Sequence, residues 1–196
     1  MRLSNMAADK SANKKVILGF TGLLASGKGT AAEYLKTAHQ ASHYRFSTIL
    51  RDIAKRIYTK ETRDNMIKLS ECLRAAFGED ILAKTMAQDV KNDTNKIIVV
   101  EGIRRLADIE YLNKLPHFVL VEIFADPKIR YERLIKRGEN ADDTGKTYEQ
   151  FLADHQRSTE LSILDVTKRA EEHVDNNGNL NKLYKQLDKL VKKYTT

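Results

Sequence analysis

Unbroken apolar runs recur along the chain and set its organisation. "KVILGFTG" (15–22), "KIIVVEG" (96–102) and "FVLVEIFAD" (118–126) carry Ile, Val, Leu and Phe without polar alternation, the pattern of strands covered on both faces in a parallel sheet. "HYRFS" (43–47) and "HVDNNG" (173–178) are shorter members of the same set. Between the runs the period becomes helical. Ile49, Leu50, Ile53, Ala54, Ile57 and Tyr58 share one face, as do Met66, Leu69, Leu73, Ala76 and Phe77, with Gly78 as a stop. Ile81, Leu82, Met86 and Val90 predict a third helix, so residues 48–92 read as a mainly helical insert between two strands.

Asp126-Pro127 supplies a cap followed by proline at the first helical position, and the stripe Ile129, Leu134, Ile135 continues towards a stop at Gly138. A polar, turn-rich loop follows over 138–147, then helix from Tyr148 to Thr167, and a terminal amphipathic helix built on Leu180, Leu183, Tyr184, Leu187, Leu190 and Val191. Strands alternating with helices predict an α/β three-layer sandwich on a five-stranded parallel sheet. Residues 14–196 are expected to form it as one domain, and the polar, aperiodic stretch 1–13 reads as a leader outside it.

Composition narrows the picture. A chain of 196 residues that is 41% hydrophobic is long enough for one sizeable core. No stretch approaches the roughly 18 apolar residues of a membrane span, and no signal-peptide core precedes Lys14-Lys15, so a soluble, cytoplasmic protein is expected. The single cysteine, Cys72, falls in an apolar helical pattern and reads as packing. A formal charge of +7 favours anionic partners without separating a phosphorylated small molecule from nucleic acid.

The glycines change the picture most. Gly22-Leu23-Leu24-Ala25-Ser26-Gly27-Lys28 fits the phosphate-binding pattern Gly-x-x-x-x-Gly-Lys between a predicted strand and a predicted helix. Glycine permits positive φ and close approach, so successive N–H groups turn inward around an anion at a helix N-terminus. Gly22, Ala25, Ser26, Gly27, Lys28, Gly29 and Thr30 are therefore the expected ATP-binding set, with Lys28 as a point charge on the β- and γ-phosphates. Where most such loops place Ser or Thr after the lysine, this chain has Gly29, and its hydroxyl arrives at Thr30.

The loop "GxxxxGKGT" resembles that of adenylate-kinase-like nucleoside monophosphate kinases, and the resemblance implies the P-loop nucleoside triphosphate hydrolase fold, with Thr30 near Mg²⁺. Glu101 closes a strand at the edge where ligands of open α/β sheets bind, either orienting Mg²⁺ or its water, or pairing with a Lys or Arg. "EGIRRLADIEYL" resembles the Asp-x-Arg-x-x-x-Glu stretch of phage-type deoxynucleoside monophosphate kinases, with Glu101 in looser register. Arg104 is the expected ligand of the acceptor phosphate, with Arg105 beside it or solvated. "YRFSTILRDI" resembles the acceptor seat of these kinases: Phe46 stacking on a base or buried in the core, Ser47 capping the helix or touching phosphate, Arg51 gripping phosphate. Arg133 and Arg137, with Arg130 one turn earlier, form a cationic stripe before the loop; in the resembled family a lid brings arginines onto the transferring group, with Arg157 a further candidate, whereas the bland reading is a solvated face. Asn177 and Gly178 resemble the turn that passes the adenine and are equally a plain turn signal.

The expected function is transfer of the γ-phosphoryl group of Mg·ATP to a nucleoside monophosphate, with 48–92 as acceptor insert and 138–147 as a short lid. A monophosphate is already a nucleophile and needs positioning and neutralisation, which lysine, arginines and Mg²⁺ provide. A hydroxyl acceptor needs a base; "YRFSTILR" holds none, but Glu101 keeps a dephospho-coenzyme A kinase as the alternative. A GTPase-type switch would carry Asn-Lys-x-Asp, which is lacking, and no aromatic-rich basic stripe supports a nucleic-acid partner. His39 and His43 have no further ligand cluster, and the lysines at 182, 185, 189, 192 and 193 read as a solvated face.

Overall fold

The computed structural model describes residues 15–137, 145–154 and 158–196. The leader 1–13, most of the loop 138–147, and Arg157 lie outside the described residues. The chain runs β1 (Val16–Thr21), α1 (Lys28–His39), β2 (Ser42–Arg45), α2 (Phe46–Arg56), α3 (Arg63–Phe77), α4 (Ile81–Asn92), β3 (Ile97–Glu101), α5 (Leu106–Ile109) and a 3₁₀ turn (Leu112–Lys114). It continues through β4 (Phe118–Phe124), α6 (Pro127–Arg137), α7 (Tyr148–Asp154), α8 (Ser158–Thr167), β5 (Glu172–Asp175) and α9 (Leu180–Thr195).

The strands form one parallel sheet of order β2-β3-β1-β4-β5. Its apolar runs lack alternation because both faces are covered, and the period of two shows instead in which layer each side chain enters. Val16, Leu18 and Phe20 of β1 join Val119, Val121 and Ile123 of β4 in a core closed by Ala31, Ala32 and Leu35 of α1 and Leu183, Leu187 and Val191 of α9. Ile17, Ile98, Val100 and Leu120 point the other way, onto Met86 and Val90 of α4, Ile109 of α5 and Val166 of α8. Each such side chain, taken fully out of water, contributes about 1.5–3 kcal/mol. This is the α/β three-layer sandwich with a five-stranded parallel sheet that the runs predict.

Three local expectations are corrected. β2 stops at Arg45, so Phe46 and Ser47 open α2 instead of closing a strand. The reason is register: Arg45 pairs with Glu101, the last residue of β3, and an edge strand has no backbone to bond beyond that point. Ser47 is consequently inside the helix and exposed, and the cap position falls to Arg45 with no side-chain cap. β5 likewise ends at Asp175, beside the end of β4 at Phe124. Cys72 is exposed rather than packed, because it lies one position off the Leu69–Leu73 stripe of α3.

Between β2 and β3 the chain is helical throughout α2, α3 and α4. Its packing is uneven. α4 buries Leu82, Ala83, Met86, Ala87 and Val90, and α2 buries Leu50 and Ala54, whereas no described side chain of α3 is buried. Thr62 caps α3 by accepting from the Asn65 N–H, and Gly78, at φ 104°, ends it. Among the described residues no helix is long and apolar enough to cross a membrane.

Candidate active site

The centre of the sheet sets the site. The chain leaves β1 and β3 side by side at their carboxyl ends, where β1 also borders β4, the switch point at which such sheets bind ligands. After β1 the backbone turns through positive φ at Gly22 (141°), Ala25 (61°) and Gly27 (101°) and enters α1. Crowding dictates the glycines: a Cβ on Gly22 would meet the Ile123 carbonyl oxygen at 2.4 Å, and one on Gly27 the Asn176 amide nitrogen at 2.1 Å. Gly27 caps α1 with no side-chain acceptor, and no acid occupies the first turn, so its amides and dipole favour an anion. Lys28 folds back, its Nζ donating to the Gly22 and Leu23 carbonyls at 2.6 and 3.0 Å.

Two groups tighten this cradle, one just past β5 and one on α6. Asn176 donates from Nδ2 to the Ser26 carbonyl at 2.8 Å, and Arg133 donates to the Asn176 carbonyl at 2.8 Å. Ser26 Oγ and Arg133 Nη1 are buried without a hydrogen-bond partner, a donor set suited to phosphate oxygens. Burial lowers the proton affinity of the Arg133 guanidinium. Arg130 does not belong to the stripe: it is 2% exposed, bonds the carbonyls of Ala125 and Leu24, and stacks on Phe151. Arg137 ends α6, its side chain outside the described residues. Asn177 accepts from the Asp126 N–H at 2.7 Å and Gly178 is exposed; it is their neighbour Asn176 that reaches the loop.

Across the loop stands Glu101. The register Arg45↔Glu101↔Phe20 aligns the ends of β2, β3 and β1, and a Cβ on Gly29 would lie 3.6 Å from both Glu101 Oε1 and Arg45 Nη2. Glu101 Oε2 accepts from His43 Nε2 and from Arg45 Nε, each at 3.0 Å. Burial pushes its carboxyl up, but the His43 hydrogen bond, then the charges of Arg45, His43 and Lys28, outweigh that and hold it below its ordinary value. Thr30 is exposed in the first turn of α1. The Glu101 carboxylate beside the phosphate cradle fits Mg²⁺, which takes one or two carboxylates and keeps waters and substrate oxygens as its other ligands.

The acceptor side departs further from expectation. Arg51 is paired with Glu61 at 2.9 Å. Phe46 packs against the sheet core and does not line the cleft beside it. Arg104 is exposed and its guanidinium makes no described hydrogen bond or ion pair, while Arg105 faces Asp108 at 3.5 Å. Between α2, α3 and α4 opens a cleft of about 540 Å³, walled by Ile53, Leu73, Phe77 and Met86 and edged by Arg45, Asp52 and Asp89. Burial, with Asp52 adding, pushes the Asp89 carboxyl up. A hollow of about 780 Å³ lined by Leu106, Phe118 and Glu171 lies by the amino ends of β4 and β5, away from the loop. Sequence reasoning missed His43, Arg45, Asn176, Asp52 and Asp89. His43 and Arg45 alternate along β2, so that signal was readable once β2 was paired beside β3.

A family model described as an AAA domain matches residues 21–150, from the end of β1 into α7. A UPF0200 protein of Hyperthermus butylicus is 27% identical over 174 residues, 80% of this chain and 92% of that one. The shikimate kinase of Bacteroides thetaiotaomicron superposes with a TM-score of 0.61 at 14% identity, covering 91% of this chain and 97% of the other. That of Acinetobacter baumannii, solved with shikimate, gives 0.56 at 12% identity over 94% and 97%. These likenesses show a P-loop kinase-like fold.

Proposed function

Since the chain belongs to the AAA domain family and has a P-loop kinase-like fold, we propose that it transfers the γ-phosphoryl group of Mg·ATP to a nucleoside monophosphate. The observation that carries this reading is the line Lys28–Glu101–Arg45 along the sheet edge, with a phosphate cradle on one side and a ring-sized apolar cleft on the other. On this reading the loop amides, Ser26, Lys28 and Arg133 hold the donor phosphates, and Arg104 and Arg105 face the acceptor phosphate. Thr30 and Glu101 would hold Mg²⁺, which would supply charge neutralisation at the transferring group. Glu101 suits that task better than a base's: the His43 hydrogen bond, the Arg45 charge and a lowered proton affinity make it a poor proton acceptor. Lys28 leaves its two carbonyls for the phosphates as the nucleotide enters. Arg133 approaches the transferring group from α6.

A second reading rests on Asp52 and Asp89 in the cleft. A carboxyl raised by burial, as at Asp89, suits a base for a hydroxyl acceptor, the class to which dephospho-coenzyme A belongs. Mg·ATP consumption against ribo- and deoxyribonucleoside monophosphates, dephospho-coenzyme A and shikimate decides. ADP formation dependent on a monophosphate is expected. Turnover only with a hydroxyl acceptor overturns the first reading, and failure to bind ATP overturns both.

A further inference from the structure

Glu101 carries a lopsided set of contacts. Its Oε2 accepts from His43 Nε2 and from Arg45 Nε, each at 3.0 Å, while Oε1 makes no described hydrogen bond or ion pair. A carboxylate has lone pairs on both oxygens, so nothing in its own chemistry sends two donors to one atom. The sheet does. His43 and Arg45 are two apart on β2 and share a strand face, and the parallel register sets Arg45 against Glu101 itself. Both therefore reach the carboxylate from the β2 side, while β1 and its loop border it on the other.

The bare oxygen is the one nearer the loop: a Cβ on Gly29 would lie 3.6 Å from Oε1 and 4.0 Å from Oε2. The pair behind it is largely enclosed, with the Glu101 side chain 15% exposed and that of His43 11%. Turning the carboxylate to present both oxygens to the loop would break two hydrogen bonds to a charged acceptor, which are stronger than neutral ones. The fold thus offers one oxygen and withholds the other. That bears on which cation fits. Mg²⁺ demands a strict octahedron and takes single carboxylate oxygens, with water and substrate completing the set; Ca²⁺ takes more ligands in looser geometry and often uses both oxygens of one carboxylate.

We propose that His43 and Arg45 are positioning residues that hold Glu101 to one free oxygen and so make the nucleotide site select Mg²⁺ over Ca²⁺. This rests on the kinase reading above, which gives the metal to Glu101, and adds to it the two residues of β2 that decide which cation Glu101 takes. Both act through the carboxylate rather than on the nucleotide. Outer partners of this kind set metal affinity by about 10- to 100-fold.

The test is isothermal titration of the full chain with a non-hydrolysable ATP analogue in Mg²⁺, in Ca²⁺ and in EDTA. The readout is the gain in affinity that each cation gives over EDTA, which needs no turnover. Wild type is expected to gain about 10-fold more from Mg²⁺ than from Ca²⁺. His43→Leu and Arg45→Met should each cut the Mg²⁺ gain by about 10-fold and leave the Ca²⁺ gain equal or larger, because the released carboxylate can turn both oxygens to the larger ion. His43→Gln, which keeps an N–H donor at similar reach, should restore the Mg²⁺ preference, and affinity in EDTA should be the same throughout. Equal losses in Mg²⁺ and Ca²⁺, an unchanged ratio in both apolar variants, or a His43→Gln variant that behaves like His43→Leu overturns the proposal. Should the apolar variants unfold, Arg45→Lys decides: it keeps the charge without the Nε–H, a reduced ratio is expected, and a wild-type ratio overturns the proposal. Glu101→Gln separates this inference from the reading beneath it. A cation gain that Glu101→Gln reduces but the β2 variants do not overturns the inference and keeps the kinase reading; an analogue that binds wild type in none of the three conditions overturns both.

Discussion

The two halves of the catalytic edge are built to different standards. Around the P-loop the backbone is fixed by side chains: the Gly22 and Leu23 carbonyls accept from Lys28, the Ser26 carbonyl from Asn176 and the Asn176 carbonyl from Arg133, which leaves Ser26 Oγ and Arg133 Nη1 open to a ligand. The strand beneath it, β1, is buried throughout from Val16 to Thr21. In the insert, by contrast, α3 has no buried described side chain and Phe77 is 66% exposed. The donor subsite is thus organised before any ligand arrives, at low ordering cost. The acceptor subsite is lined by groups whose contacts within the chain are incomplete, so a ligand there supplies packing and charge that the fold does not. Hinged closure over an acceptor is drawn from regions of this weaker kind.

The sharpest way to break this contrast is to disable the donor half and leave the acceptor half alone. Lys28→Ala removes the ammonium folded into the loop, and turnover should fall by about 10²–10³-fold. Its structural part is small, with hydrogen bonds to the Gly22 and Leu23 carbonyls among its contacts, so the melting temperature should drop by only a few degrees. Acceptor affinity, measured by titration, should be unchanged. A variant that loses both ligands together would mean that the halves are one unit.

Packing offers a second measure. Leu18 is 0% exposed between two layers, and Leu18→Ala should cost about 3–4 kcal/mol in chemical denaturation. Phe77 is larger yet 66% exposed, so Phe77→Ala should cost less than about 1 kcal/mol while raising the KM for the acceptor, because it removes a wall of the cleft. Comparable destabilisation by the two would show that α3 is packed as firmly as the sheet, and the comparison would fail.

How much of this was legible follows the same division. The continuous Ile/Val/Phe runs and the glycine-lysine loop carry local signals, and the sheet and the P-loop turn appear where those signals put them. What local pattern cannot carry is pairing. His43 and Arg45 sit on Glu101 only because β2 lies next to β3 in the sheet, a relation between residues 56 or more positions apart. Arg130 and Arg133 look alike in the sequence, and tertiary packing alone separates the one bonded to carbonyls under the loop from the one beside Gly27. Phe46 and Arg51 satisfy the acceptor pattern in sequence, but the core and Glu61 claim them first. Asp52 and Asp89 gave no motif at all, since a cleft between three helices exists only once they pack.

The glycines give the finest test, because the same substitution should have opposite signs within one loop. At Gly22 the backbone has φ 141°, and a methyl group would press on the Ile123 carbonyl at 2.4 Å, an atom that β4 holds in place. Gly22→Ala should therefore cost about 2–3 kcal/mol and weaken ATP binding as the cradle shifts. Gly29 lies in the first turn of α1, and its added methyl would find only Arg45 and Glu101 side-chain atoms at ordinary contact, 3.6 Å. There Ala restricts the unfolded chain without strain and should stabilise by about 0.4–1 kcal/mol, a rise of about 1–3 °C in melting temperature. If Gly29→Ala instead destabilised, the Glu101–Arg45 pair would be pressed closer to the loop than the register of β2, β3 and β1 places it, and the donor half would have less room for a metal ion than the site requires.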